Sequence, residues 1–244
     1  MNLEYLLLSA LAVLIVLTVH EYSHGLVAHK LGDNTAKYLG RLTLNPIKHI
    51  DPLGAICMIL FHVGWAKPVP INPRNFKKPK RDFALTALAG PLANLIMAFF
   101  SALIYIGIFT VFKDVEFESN FLYQLVNNAL LFFFIFHTIN IGIAIFNLIP
   151  IPPLDGSRIL NVFLPQKAYF AIMKYERRIY FGFLFWLIFG DYAAMGIRMI
   201  PFVSATPWLY SLVGILSLPD ILGTVISFIS DLMLDFWLLF PFLG

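Results

Sequence analysis

Residues 20–24 read His-Glu-Tyr-Ser-His, an H-E-x-x-H pattern. On a helix, positions i and i+4 share a face, so the imidazoles of His20 and His24 can grip one ion together. Glu21 is turned about 100° around the axis, where it reaches a water on that ion without being a ligand itself. Zinc suits imidazole and carboxylate ligands, and a catalytic zinc site leaves one position for water. The ion lowers the pKa of that water from about 15.7 to about 7, and Glu21 can take the remaining proton. Five letters alone are a weak signal. The setting strengthens it, because the uncharged run 5–19 precedes the pattern inside an expected membrane span. A charge at that depth costs about 2.5–3.5 kcal/mol and calls for a partner. The bland alternative is a polar cluster that packs helices together.

A third ligand is required. The extended pattern with a further histidine is absent, since Lys30 occupies its place. His29 falls at the wrong spacing and is expected to be solvated near the end of the same helix. His49, His62 and His137 lack supporting context and are expected to be satisfied polar groups. The better candidate is Asp155, at the end of the Pro- and Gly-broken turn Asn147-Leu-Ile-Pro150-Ile-Pro-Pro153-Leu154-Asp155-Gly156. A lone carboxylate at membrane depth must be paired or metal-bound. Capping of a helix that starts near Ser157 is an equal alternative on the residues alone.

The elements that must position these groups follow from composition. The chain has 244 residues, 59% of them hydrophobic and 13% charged, where a soluble protein carries about 25% charged residues. Charges are too few to solvate a globule of 27.7 kDa, so the expected solvent is lipid. A net charge of +3 fits a topology signal better than a nucleic-acid footprint, and a single cysteine, Cys57, excludes an intrachain disulfide. A spanning helix needs about 20 mostly apolar residues. Such stretches run over 4–31, 83–112 and 121–149, and a fourth over 180–199. The apolar tail 207–240 is broken by Pro219, Asp220, Asp231 and Asp235 and reads as one interrupted span or two half-spans. A signal peptide fits the N-terminal run poorly, because no Lys or Arg precedes Lys30 and no small-residue cleavage site follows.

Charge sets the orientation. Of 17 basic residues, 10 lie from Lys30 to Arg81, and five more are Arg158, Lys167, Lys174, Arg177 and Arg178. The positive-inside rule puts both basic segments in the cytoplasm, with His24 and Asp155 in the cytoplasmic half. Between them, residues 38–80 are neither a clean span nor an ordinary loop. Pro68, Pro70, Pro73 and Pro79 break helices, whereas Leu42, Leu44, Val69 and Ile71 suit short extended strands. The expectation is a strand or hairpin at the membrane edge that can pair with a substrate strand; a plain amphipathic loop on the headgroups is the alternative.

H-E-x-x-H in the first half, together with N-x-x-P-x-x-P-L-D-G in the second, resembles the site-2 protease family of intramembrane zinc metalloproteases. Ala89-Gly90-Pro91-Leu92-Ala93-Asn94 is similar to that family's glycine–asparagine element, and residues 64–76 resemble the proline-bearing segment of its compact bacterial and archaeal members. The resemblance runs from about His20 to Arg178. It implies one zinc per chain held by His20, His24 and Asp155, with Glu21 as general base. It also implies that Asn147 and Asn94 orient substrate or stabilise the oxyanion, for which a buried amide N–H is physically suited. Interhelical hydrogen bonding is the plain alternative for Asn94, and close helix approach for Gly90. No stretch is long or polar enough for a PDZ domain between the signatures, and no C-terminal CBS domain is expected.

These readings together predict an all-α polytopic membrane protein, a bundle of about four to six transmembrane helices with a short membrane-edge β-strand or hairpin. Residues 1–178 form the expected metalloprotease core and 179–244 a C-terminal transmembrane region. The predicted activity is hydrolysis of peptide bonds in transmembrane protein substrates by zinc-activated water, in a prokaryotic cell membrane with the site facing the cytoplasm. A metal transporter and a catalytically silent homologue are the alternatives. The predicted partners are the substrate and the lipid bilayer, with no nucleic acid; the oligomeric state is not read from the sequence.

Overall fold

The computed structural model describes residues 3–52, 54, 66–206 and 218–240. The described chain is helical: α1 (Leu3–Lys30), α2 (Thr35–Tyr38), α3 (Pro79–Phe112), α4 (Asn120–Leu148), α5 (Asp155–Leu160), α6 (Gln166–Arg198), α7 (Pro201–Ser204) and α8 (Leu218–Leu238). Among the described residues, four helices are long and apolar enough to cross a membrane: α1, α3, α4 and residues Asp220–Leu238 of α8. Their outward faces carry Leu, Ile and Phe, as in Leu7, Leu11, Ile96, Phe100 and Phe134, all exposed. In water such faces would drive association; in hydrocarbon they are the solvated surface. The expected spans 4–31, 83–112 and 121–149 coincide with α1, α3 and α4 to within a few residues, and the stretch 180–199 falls within α6 except for its last residue.

With lipid outside, the helices are held by close packing of small and polar residues. Ala12, Val16, His20, His24 and Ala28 line the buried face of α1 at a spacing of four, and Asp82, Thr86, Gly90, Asn94 and Ala98 do the same on α3. These two rows face each other and bring the polar groups of both helices into one interface. Helix α4 closes the trio, and the short α5 packs on α3 and α4. Gly156 is required there. A Cβ at that position would collide with the backbone carbonyl of Leu148, so any side chain would push α5 off the end of α4.

Helix α8 docks on α3 and α4 through polar contacts inside an apolar face. The His137 Nδ1–H donates to the Ala98 carbonyl (2.9 Å), and its Nε2 meets the Ser230 hydroxyl (2.8 Å). The Trp237 indole N–H donates to the Phe99 carbonyl at 2.8 Å.

The 38–80 region contains no strand among its described residues. It holds one isolated antiparallel bridge, Ile50 to Ala66, with the Lys67 N–H donating to the His49 carbonyl (2.8 Å), and two 3-10 turns, Pro46–Lys48 and Pro73–Asn75. In both turns an asparagine side chain accepts the N–H two residues ahead, and proline supplies a fixed φ. Proline density explains why ladders do not extend, since each proline removes a donor. Much of the apolar run 53–63, with His62 and Cys57, and the first part of the tail, 207–217, lie outside the described residues. The tail from Leu218 is a single helix.

Candidate metal centre

Helix α1 carries His20 and His24 on its buried face, and the turn after α4 delivers Asp155 as the first residue of α5. The three side chains meet. His20 Nε2 and His24 Nε2 are 3.1 Å apart, and Asp155 Oδ2 lies 3.3 Å from the first and 3.1 Å from the second. All three residues are buried. Among the described residues this is the group of histidine and acidic side chains able to hold a metal ion.

The far side of each imidazole decides what the near side can do. The His24 Nδ1 lies 2.7 Å from the Thr86 carbonyl, which can only accept, so Nδ1 carries the hydrogen. The His20 Nδ1 lies 3.2 Å from Asn94 Oδ1, which is also an acceptor. With neutral rings, both Nε2 atoms then present lone pairs toward each other and toward a carboxylate oxygen. Three acceptors converging in a buried space repel unless a cation sits among them. A tetrahedral zinc with bonds of about 2.0–2.1 Å keeps its ligand atoms about 3.3 Å apart, close to the observed spacing. The donor set and its outer hydrogen bonds therefore fit zinc, with the orientation of each imidazole fixed by an oxygen of α3.

Gly90 completes that fit. A Cβ there would lie 2.5 Å from His24 Nε2 and 2.6 Å from His20 Cε1. The backbone of α3 is the back wall of the site, and only glycine lets it come so close. Pro91 follows, removing one rung of the helical ladder next to the turn that turns its Thr86 carbonyl to His24.

The ligand group opens into a cleft of about 880 Å³. Its walls are mostly apolar, from Val13 and Leu17 of α1, Ile139, Ile143 and Phe146 of α4, and the extended segment holding Ala66, Pro68, Val69 and Ile71. Glu21 lines the same cleft, and its Oε2 accepts the Val69 backbone N–H at 2.7 Å. Asn147 also lines it, with its amide donating back to the Ile143 carbonyl one turn earlier (3.0 Å). Arg158 stands in the lining with its guanidinium 5.0 Å from the centre of the Phe83 ring. Asn94 is fully buried behind His20, and its Nδ2 has no hydrogen-bond partner.

The remaining histidines divide as their contacts dictate. His137 bridges α3 and α8 and is a satisfied polar group, whereas buried His49 is satisfied only in part: its Nε2–H donates to the Thr43 carbonyl (2.8 Å) and its Nδ1 has no hydrogen-bond partner. His29 is half-buried and bonded to Asn34 rather than free in solvent. Sequence reasoning did not find Thr86 or Val69, which act through backbone atoms. The four-residue spacing of Thr86, Gly90 and Asn94 was a usable signal for the face of α3 that meets the histidines.

Fold and site thus define a polytopic membrane protein with a buried two-histidine, one-carboxylate centre. Residues 8–189 match the family model of Peptidase family M50, and the chain belongs to that family, the site-2 proteases. It is similar to three curated proteins whose names designate zinc metalloproteases. YwhC of Bacillus subtilis is 39% identical over 178 residues, covering 73% of this chain and 77% of the relative. Rip2 of Mycolicibacterium smegmatis is 29% identical over 178 residues (70% and 61%), and MJ0611 of Methanocaldococcus jannaschii is 30% identical over 146 residues (58% and 63%). No solved structure matches. The chain is an integral, multi-pass membrane zinc metalloprotease of a family that acts on membrane-embedded substrates.

Proposed function

We propose that His20, His24 and Asp155 hold the zinc and that Glu21 is the general base for hydrolysis of a peptide bond in a transmembrane substrate. The observation that carries this reading is the triangle of acceptor atoms, 3.1–3.3 Å on each side, beside a cleft that Glu21 also lines. Zinc bound there supplies polarisation of the scissile carbonyl and a water with a pKa of about 7. The rest of the chemistry belongs to the chain's own residues. Val69 N–H holds one oxygen of Glu21, so the other is left to take a proton from the attacking water and to return one to the leaving amine. Asn147 lines the cleft and reaches the oxyanion by exchanging its bond to Ile143 for one to substrate. Asn94 acts through His20, whose tautomer it fixes.

A helical substrate must unwind, because its carbonyls are bonded and shielded. The unwound strand lies along the 38–80 membrane-edge element, read as a short hairpin, in which Ile50 and Ala66 form an antiparallel bridge. That wall offers carbonyl oxygens more than amides. Lys67, Val69 and Asn72 already donate to His49, Glu21 and Asp33, and Pro68 and Pro70 have no N–H. The basic segments favour a cytoplasmic site, and the organisms of the relatives favour a prokaryotic cell membrane. Residues 1–178 are the catalytic core, and α6 adds a span beyond the four to the C-terminal region 179–244.

The test uses purified protein in lipid, with zinc content and cleavage of a membrane-embedded substrate measured together. Glu21→Gln should keep its zinc and lose cleavage. Full activity of that variant with metal bound rules out the assigned base.

A further inference from the structure

We propose that Asp33 is a positioning residue for the catalytic base: it grips the Asn72–Asn75 turn so that the Val69 amide stays on Glu21. The inference rests on the reading of Glu21 given above and concerns what holds its surroundings in place.

The argument begins where α1 ends. Gly32, with φ +110°, takes the left-handed conformation after the last turn. The Gly32 N–H donates to the His29 carbonyl (3.1 Å) and the Asp33 N–H to Ala28 (2.9 Å). This glycine-terminated cap reverses the chain and turns Asp33 inward. Asp33 is fully buried, yet among the described residues no cation pairs with it. Its two oxygens are satisfied by neutral donors. Oδ1 accepts the Thr35 N–H (3.1 Å), the Thr35 hydroxyl and the Asn75 amide (2.7 Å), while Oδ2 accepts the Asn72 N–H at 2.7 Å. Thr35 belongs to Asp33's own turn. Asn72 and Asn75 come from the far side of the 38–80 region, so the carboxylate ties that region to the helix bearing the histidines.

The tie reaches Glu21 through a short, stiff stretch. Only Pro70 and Ile71 separate Val69 from Asn72. Proline fixes φ at position 70 and again at 68 and 73, which leaves few soft angles to absorb a shift. Arg41 anchors the other end, donating to the Lys67 carbonyl at 2.8 Å. A displacement at Asn72 is therefore passed to the Val69 N–H and to the cleft wall. Burial alone would raise the Asp33 carboxyl, but the donors from Thr35, Asn72 and Asn75 outweigh it and hold the group below the usual carboxylate range. The grip is ionised at neutral pH.

The experiment compares Asp33→Asn and Asn75→Ala in the zinc-loaded, full-length protein in lipid. Asn75 is exposed, so its truncation removes one donor with little risk to folding. Amide hydrogen exchange across 66–76 should rise about tenfold or more in Asp33→Asn, with α1 and α3 unchanged. Zinc content should stay that of the wild type, and kcat should fall about 10–100-fold with little change in KM. Asn75→Ala should move in the same direction by less. Wild-type exchange and kcat in both variants would overturn the proposal. So would an exchange increase spread through α1 and α3, which marks general destabilisation. Wild-type cleavage by Glu21→Gln instead overturns the assignment of the base; the hold of Asp33 on residues 72–75 is read from exchange independently.

Discussion

Among the described helices, buried histidines occupy two places, and their surroundings differ. His20 and His24 sit between α1 and α3; His137 sits between α4, α3 and α8. In all three, Nδ1 faces an oxygen acceptor from α3: Asn94, Thr86 and Ala98 in turn. What differs is the second nitrogen. His137 Nε2 meets a hydroxyl that can donate, so its needs are met by protein. The Nε2 atoms of His20 and His24 meet each other and the Asp155 carboxylate, three acceptors with no donor. Burial and residue type are the same in both places. The chemistry of the group opposite the second nitrogen separates an acceptor cluster able to hold a cation from a satisfied strut.

The comparison can be broken most forcefully at the acceptor triangle. Replacing Asp155 with Ala should abolish bound zinc and cleavage together, read by metal analysis of the purified protein, whereas His137→Ala should leave the zinc content at its wild-type value. Zinc loss from His137→Ala would collapse the distinction. Next in size is Gly90→Ala. The added methyl must displace both imidazoles, so zinc occupancy and cleavage should fall while the helical content seen by circular dichroism is kept. The strut side should show its effect in stability instead. His137→Ala removes two hydrogen bonds and leaves a cavity, an expected loss of about 2–4 kcal/mol in denaturant unfolding. Ser230→Ala removes one interhelical bond, worth about 0.6 kcal/mol in a membrane. The smallest effect concerns pH. The folded pKa of Asp33 is depressed below an unfolded value of about 3.9. Its contribution is complete above that value and disappears as pH falls through the folded pKa. Unfolding curves for Asp33→Asn should therefore lack the part of the acid destabilisation that the wild type shows below about pH 4.

The two regions also differ in how far the amino-acid pattern exposed them. His20, Glu21 and His24 are close in sequence, so helical periodicity alone placed them on one helix. Asp155 stood out because proline and glycine broke a span beside it. Of the two readings considered for it, capping is not what its side chain does: the helix starts at Asp155 itself, Leu154 is the cap residue, and the carboxylate joins the triangle. The span boundaries came within a few residues for α1, α3 and α4, because the hydrocarbon thickness fixes length. The strand-forming signal of Leu42, Leu44, Val69 and Ile71 did not become a strand at any of these four residues. Prolines interrupt the donors, and a single bridge remains among the described residues. The start of α6 was also hidden. The expected span began at 180, after the basic residues 167–178, yet Gln166–Arg198 is continuous helix, since lysine and arginine favour helices as readily as they favour water. Thr86 and Val69 escaped for a different reason: a backbone carbonyl or amide has no letter of its own.

Gly90 has a consequence for anyone seeking to inhibit this enzyme. The α3 backbone presses directly on the imidazoles, and neither Gly90 nor Asn94 borders the cleft, so no synthetic compound can approach from that direction. Among the described residues, the route for a metal-chelating warhead is the cleft, past Val69 on one flank and Ile143 and Phe146 on the other. Potency and selectivity must then be built into the greasy portion that trails behind the chelator.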